Sequence, residues 1–148
     1  MPKPDPRLLE PDRYPVQFAL TTRFQDLDPN HHINNVATAA MFEDVRVRFD
    51  WGAGLREEMD AAGYRPMIVS VGIEYLGEAF YPDPMVAHAG GLSFGRTSWS
   101  IGALLTQNGR ATAFMRSTVA CTRDGVPATL PEPFRAAMET RMIRLHDI

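Results

Sequence analysis

Arg23-Phe24-Gln25-Asp26-Leu27-Asp28-Pro29-Asn30-His31-His32-Ile33-Asn34-Asn35, followed by Val36-Ala37-Thr38-Ala39-Ala40-Met41-Phe42, is the stretch on which the reading of the whole chain turns. Asp26 and Asp28, the carboxamides of Asn30, Asn34 and Asn35, and the imidazoles of His31 and His32 crowd into a short polar loop. An apolar run follows at once. Asn34 or Asn35 is placed to cap that run as a helix, because an Asn side chain accepts from the first unpaired N–H groups. From Val36 to about Phe49 apolar residues lie round most of the circumference, the pattern of a helix wrapped by other structure. Trp51-Gly52-Ala53-Gly54 ends it, and residues 55–62 fit a short helical turn.

Outward from the helix, the period changes to that of strands. Before the loop, residues 16–23 read as a first strand, and residues 1–15, with five of the 12 prolines, read as an extended arm. After the helix, Met67, Val69, Val71, Ile73 and Tyr75 alternate with smaller or polar residues, which predicts a half-buried strand. A strand over 85–94, interrupted at Gly90-Gly91, and a hairpin over 97–123 turning at Asn108-Gly109 come next. Asp124-Gly125 makes a second turn, and a terminal helix is expected from Phe134 to about Leu145. The order predicts an α+β fold, one antiparallel sheet covered by the early helix, with residues 16–148 as a single domain. The sheet's other face should remain partly apolar and favour association with a second copy.

Bulk properties exclude several classes. The 148 residues carry a net charge of -3 with no basic block, which argues against nucleic-acid binding. The single cysteine forms no internal disulfide, the proline-rich start lacks the form of a secretory signal, and no apolar run reaches membrane-spanning length. A soluble cytoplasmic protein is expected, without membrane or nucleic-acid partners.

Three chemistries compete for the polar loop. Asp26-x-Asp28-x-Asn30 copies half of a calcium loop, but the Gly and Glu that pattern requires are replaced by His31 and Ala37. Adjacent His31 and His32 point apart and find no Cys or spaced His to complete a zinc site, so no metal and no cofactor is expected. Cys121 reads as a small core residue, and no G-x-S-x-G elbow is present. Carboxylate chemistry remains: Asp28, Asn30 and His32 alternate and can share one side of an extended loop. The N–H groups near Asn35 and Val36, at a helix start whose dipole favours negative charge, suit an oxyanion. Asp, Asn and His are also ordinary cap and turn residues, so the structural reading stays open at this point.

The blocks Asp26-Leu27-Asp28-Pro29-Asn30-His31-His32-Ile33-Asn34-Asn35 and Phe42-Glu43-Asp44-Val45-Arg46 resemble the signature of the hotdog-fold acyl thioesterases. The 4-hydroxybenzoyl-CoA thioesterase-like enzymes and the plant acyl-carrier-protein thioesterases are the most similar groups. Ile73-Glu74-Tyr75-Leu76, Tyr81-Pro82-Asp83-Pro84, Gly95-Arg96-Thr97-Ser98 and Leu130-Pro131-Glu132 extend the likeness over about residues 16–137. The resemblance implies a curved antiparallel sheet wrapped round a central helix, hydrolysis of acyl-CoA or acyl-carrier-protein thioesters, and a homodimer or homotetramer with sites between subunits. It implies that Asp28 is the catalytic carboxylate, with Asn30 and His32 in support and the helix start at Asn35 and Val36 polarising the carbonyl. It places Thr38, Phe42, Gly95, Arg96, Thr97 and Ser98 against substrate and keeps Glu43 as a reserve catalytic carboxylate. The chain departs from the pattern at His31, where Gly is commonest, and at Thr38, Ala39 and Ala40, where bulkier residues are usual. Small residues there are expected to widen the acyl pocket. Glu43 and Arg46 also fit a helix salt bridge, and Arg110 and Arg116 read as surface charge, with CoA phosphate contact as the alternative. Two rival functions stand beside hydrolysis: a non-catalytic acyl-CoA or acyl-carrier binding module, and an acyl-thioester dehydratase or hydratase.

Overall fold

In the computed structural model, which describes residues 3–146, the helix that follows the polar loop is α1, Asn35–Gly52. Asn34 is its cap: its Oδ1 accepts from the Ala37 N–H at 2.7 Å, while its own N–H and Nδ2 both donate to the Asp26 carbonyl at 2.8 Å. One side chain therefore starts the helix and fastens the loop to it. Asn34→Ala should cost about 1 kcal/mol, read as a lower melting temperature. A variant melting at the wild-type temperature would contradict that role.

Five strands wrap the helix: β1 (Val16–Leu20), β2 (Tyr64–Tyr75), β3 (Met85–Phe94), β4 (Ser98–Gln107) and β5 (Arg110–Arg123). They pair antiparallel in the order β1-β3-β4-β5-β2, and a short β6 (Val126–Pro127) adds to β5. The expected turn at Asn108-Gly109 is present, with φ of 53° and 77°, the left-handed pair a tight hairpin requires. Helix α2 (Leu55–Ala62) leads from α1 into β2.

The concave face of the sheet presents Ala87, Ala89, Ala103, Ile101, Met115 and Val119 to Phe42, Val45 and Phe49 of α1, all nearly sealed from solvent. Alanines at three sheet positions let the helix lie close. This is the helix-in-sheet arrangement that the hotdog resemblance implies. The terminal helix is shorter than expected: α3 is Glu132–Glu139, and its Phe134 stacks edge-on against Trp99 at 4.9 Å.

The convex face departs from expectation. The prolines of the N-terminal segment, expected to keep it extended, instead start two 3-10 turns, Pro6–Leu9 and Pro11–Arg13, which bring Leu8 and Tyr14 down onto Leu104 and Phe114. Ile143 of the C-terminal tail completes this second cluster. The tail crosses β3 at Gly91, whose N–H donates to the Arg141 carbonyl and whose carbonyl accepts from Ile143, each at 2.8 Å. A Cβ at Gly90 would lie 2.6 Å from Ile143 and at Gly91 2.6 Å from Met142. The Gly-Gly pair is there for this crossing. The exposed apolar surface lies elsewhere, along β2: among the described residues it pairs only with β5, and Met67, Val69, Val71 and Tyr75 are each about half exposed.

The far half of α1 holds a buried charge cluster. Asp50 Oδ1 accepts from Trp99 Nε1 at 3.0 Å, and Arg46 Nη1 lies 3.5 Å from Oδ2. Burial pushes the Asp50 carboxyl up to about 7, against the opposing pull of Trp99, Arg46 and Arg141. The unfolded chain thus ionises Asp50 near its ordinary 3.8 while the folded chain keeps the proton up to about pH 7. Its contribution to stability is full below pH 3.8, declines as pH rises through that window, and is level above it. Relative to wild type, Asp50→Asn should gain melting temperature steadily from pH 4 to pH 7; a constant difference would contradict this.

Candidate active site

The polar loop between β1 and α1 folds back on itself. A 3-10 turn at Phe24–Asp26 opens it, Leu27 bridges to Ile33, and the Asp28 N–H donates to the His32 carbonyl at 2.8 Å. Asp26 is buried and accepts from Nε and Nη2 of Arg23, at 2.9 and 2.8 Å, which braces the loop. His31 sits at φ 64°, in the left-handed region. That accounts for the usual Gly at this position, since only Gly enters the region without a Cβ penalty.

Inside this fold Asp28 Oδ1 accepts from the backbone N–H groups of Asn30, at 2.9 Å, and His32, at 3.0 Å. The His32 amide above all holds the carboxyl below its ordinary range; burial, the next-largest effect, opposes it, and the Asn30 amide and the two neighbouring imidazoles add smaller downward pulls. Asp28 is thus ionised at neutral pH. Both hydrogen bonds fall on Oδ1, which leaves Oδ2 for another partner.

Asp28 borders two clefts. One, about 380 Å³, is lined by Asp28, His32, Asn35, Thr38, Tyr75 and Glu78, among others. The other, about 510 Å³, runs past Asn35, Val36 and Ala40 on the far side of the helix start. Among the described residues, no group accepts from the N–H of Asn35 or Val36, while those of Ala37 and Thr38 are taken by Asn34. Two donors at the positive end of α1 therefore stand beside the carboxylate.

The structure brings Asp28, His32, Asn35, Val36 and Thr38 together round these clefts. Asn30 contributes its backbone N–H to Asp28, and its side chain lines neither cleft. Phe42, expected against substrate, is in the core a full turn below Thr38, with 1% of its surface exposed. Glu43 is turned to Arg46 at 2.6 Å, in the helix pair its spacing suggested. Gly95, Arg96, Thr97 and Ser98 lie at the other end of the sheet. Ser98 pairs with Ala120, seven residues along β5 from the Ala113 that lines the cleft, a separation of about 23 Å at 3.3 Å per residue.

Sequence reading missed Glu78. Its Oε2 is 3.2 Å from His32 Nε2, and the His32 ring is packed edge-on against Phe80 at 5.3 Å. Forty-six residues separate Glu78 from His32, and no local pattern joins them. The connection is made by Gln107, buried at the end of β4, which exchanges hydrogen bonds with the N–H and carbonyl of Phe80 and also holds the Asp83 carbonyl. Arg110 adds a bond to the Glu78 carbonyl at 2.8 Å across Gly77, and Ile33 N–H reaches the Ala79 carbonyl.

Known proteins share this shape. A thioesterase from Thermus thermophilus complexed with coenzyme A and zinc superposes with a TM-score of 0.77 at 25% identity, covering 87% of this chain and 95% of its own. A Staphylococcus aureus protein in complex with CoA superposes at 0.80 with 18% identity, over 89% and 86% of the two chains. A 1,4-dihydroxy-2-naphthoyl-CoA thioesterase from Synechocystis gives 0.73 at 12% identity, over 82% and 93%. No curated protein matches the sequence. Residues 22–138, from just before the polar loop to the end of α3, match the profile of the thioesterase-like superfamily, and the chain belongs to that superfamily.

Proposed function

We propose that the protein hydrolyses acyl-CoA thioesters to a free acid and CoA, with Asp28 as the catalytic carboxylate. The observation that carries this reading is an ionised Asp28 with Oδ2 unengaged, beside two free N–H donors at a helix start. The thioester carbonyl sits with its oxygen toward the N–H groups of Asn35 and Val36, which stabilise the charge that grows there in the transition state. Asp28 either attacks the carbonyl carbon or takes a proton from the attacking water. In this reading His32, held by Glu78 and Phe80, gives its proton to the departing thiolate. Thr38 borders the bound acyl group, and Ala39 and Ala40 leave room along the helix for a long chain. Two neighbours complexed with coenzyme A support CoA as the carrier.

The second element of the reading is a second copy of the chain. An exposed apolar edge strand twelve residues long is a template for pairing. Antiparallel self-pairing of β2 would set the Tyr64 end of one copy beside the Tyr75 end of the other. The partner's Gly95–Ser98 turn then approaches the Asp28 cleft that it cannot reach within one chain.

Thiol release across acyl-CoAs of graded length tests the reading. Release is expected, fastest with long chains. A clear preference for short chains would refute the widened pocket, and CoA binding without release would favour the binding module.

A further inference from the structure

A trough on the convex face joins the catalytic cleft at its rim. It lies between the N-terminal segment and the end of β2, measures about 660 Å³, and is walled by Pro4, Pro6 and Leu9 on one side and Glu74, Tyr75 and Leu76 on the other. Tyr75 and Leu76 line the cleft that holds Asp28 as well, so the two spaces share one lip. Lys3, Pro4, Asp5 and Glu74 continue the trough into a smaller hollow of about 270 Å³ that reaches Phe114 and Arg116. Its floor is open at Gly72: a Cβ built there meets nothing within 4 Å.

The charges in the trough are unevenly engaged. Asp5 is held by Arg7, its carboxyl drawn down to about 2. Among the described residues, neither Lys3 nor Arg116 has a carboxylate within ion-pair distance, and Glu74 has no cation within it. Two free cations and an apolar wall of prolines, leucines and Tyr75 thus lie next to the exit of the thioester cleft.

We propose that this trough holds the 3′-phosphorylated ADP end of a CoA thioester whose acyl end lies at Asp28. The inference rests on the reading of the cleft as a thioester site. Pro4, Leu9 and Tyr75 give the adenine an apolar wall, and Lys3 and Arg116 face its phosphates. The N-terminal segment is then part of the substrate site, and it selects CoA over carriers that lack a nucleotide.

The test compares an acyl-CoA with the same acyl group on pantetheine, which lacks the nucleotide, using the chain with its N-terminal segment intact. Lys3→Glu and Arg116→Glu should each raise KM for acyl-CoA roughly fivefold to tenfold, with kcat unchanged. Their kcat/KM for acylpantetheine should stay within about twofold of wild type. Gly72→Leu, which fills the floor from a backbone position free of strain, should act like the charge reversals, and Glu74→Gln should lower KM for acyl-CoA. Equal effects on both substrates, or none on either, would overturn the proposal. So would an acyl-carrier protein as the substrate sensitive to Lys3 and Arg116. Calorimetric titration of free CoA reads the trough without turnover: if no thioester were cleaved, weaker CoA binding in Lys3→Glu would still support the trough, and unchanged binding would overturn it.

Discussion

Asp28→Asn should lower kcat for acyl-CoA hydrolysis by roughly 10²–10⁴-fold, the range that a positioned acid or base contributes. The substitution keeps the shape of the side chain and an oxygen to receive the Asn30 and His32 amides, so the loop has no cause to unfold. What it removes is the charge on Oδ2, and an amide neither attacks a carbonyl nor holds water's proton. KM and the affinity for CoA should change little, because in the proposed pose the nucleotide and pantetheine bind away from this atom. In wild type the acid limb of activity owed to Asp28 should lie below pH 3.8, since the His32 and Asn30 amides favour the ionised form. An Asp28→Asn enzyme of normal kcat would remove Asp28 from the mechanism. A limb at higher pH that moved with Asp28 substitutions would show that the loop amides do not govern its ionisation.

The second large effect concerns β2. Val71→Lys should give a monomer by light scattering and a loss of activity of tenfold or more, while circular dichroism stays that of the folded chain. Val71 is 47% exposed in the single chain, so a lysine there meets solvent in the monomer. In the proposed β2–β2 ladder it instead sets a charge among the apolar edge residues of the second copy, and a charge withdrawn from water without a counter-ion opposes pairing. The activity loss would follow from the proposed pairing, because Gly95–Ser98 lies about 23 Å along the sheet from the cleft in one chain and, in that pairing, reaches it from the second copy. A monomer with full activity would show that each chain carries a complete site. A variant that stayed dimeric would place the interface elsewhere.

The two effects rest on parts of the structure that differ in how far the sequence reveals them. The helix, its Asn cap, the order of strands and both Gly-containing turns follow from local rules: a cap residue before an apolar run, alternation at period two, and φ values only some residues accept. The N-terminal segment is a different case. Its prolines are compatible with an extended arm and with the 3-10 turns it forms, and the choice is made by Leu8 and Tyr14 finding Leu104 and Phe114 nearly a hundred residues later. Gly90-Gly91 reads locally as a weak point in a strand; its cause, the C-terminal tail crossing above it, is tertiary.

The site divides the same way. Asp28, His32 and the helix start belong to one short loop, and spacing alone sets them near one another. Glu78 reaches His32 through Gln107, Arg110 and Ile33, three contacts from three elements, none visible as a motif. Arg46 reads as the salt-bridge partner of Glu43 and proves to be buried, beside an Asp50 that no sequence pattern singles out and that is bonded to Trp99. The resemblance sets Phe42 against substrate, but helical geometry turns it into the core below Thr38.

The central claim is that this loop cleaves a thioester rather than only holding one. Mixing wild-type protein in excess with a long-chain acyl-CoA, and following free thiol in a single turnover, tests it most directly. One thiol should be released per acyl-CoA bound. Saturable binding of the acyl-CoA with no thiol released would contradict the account.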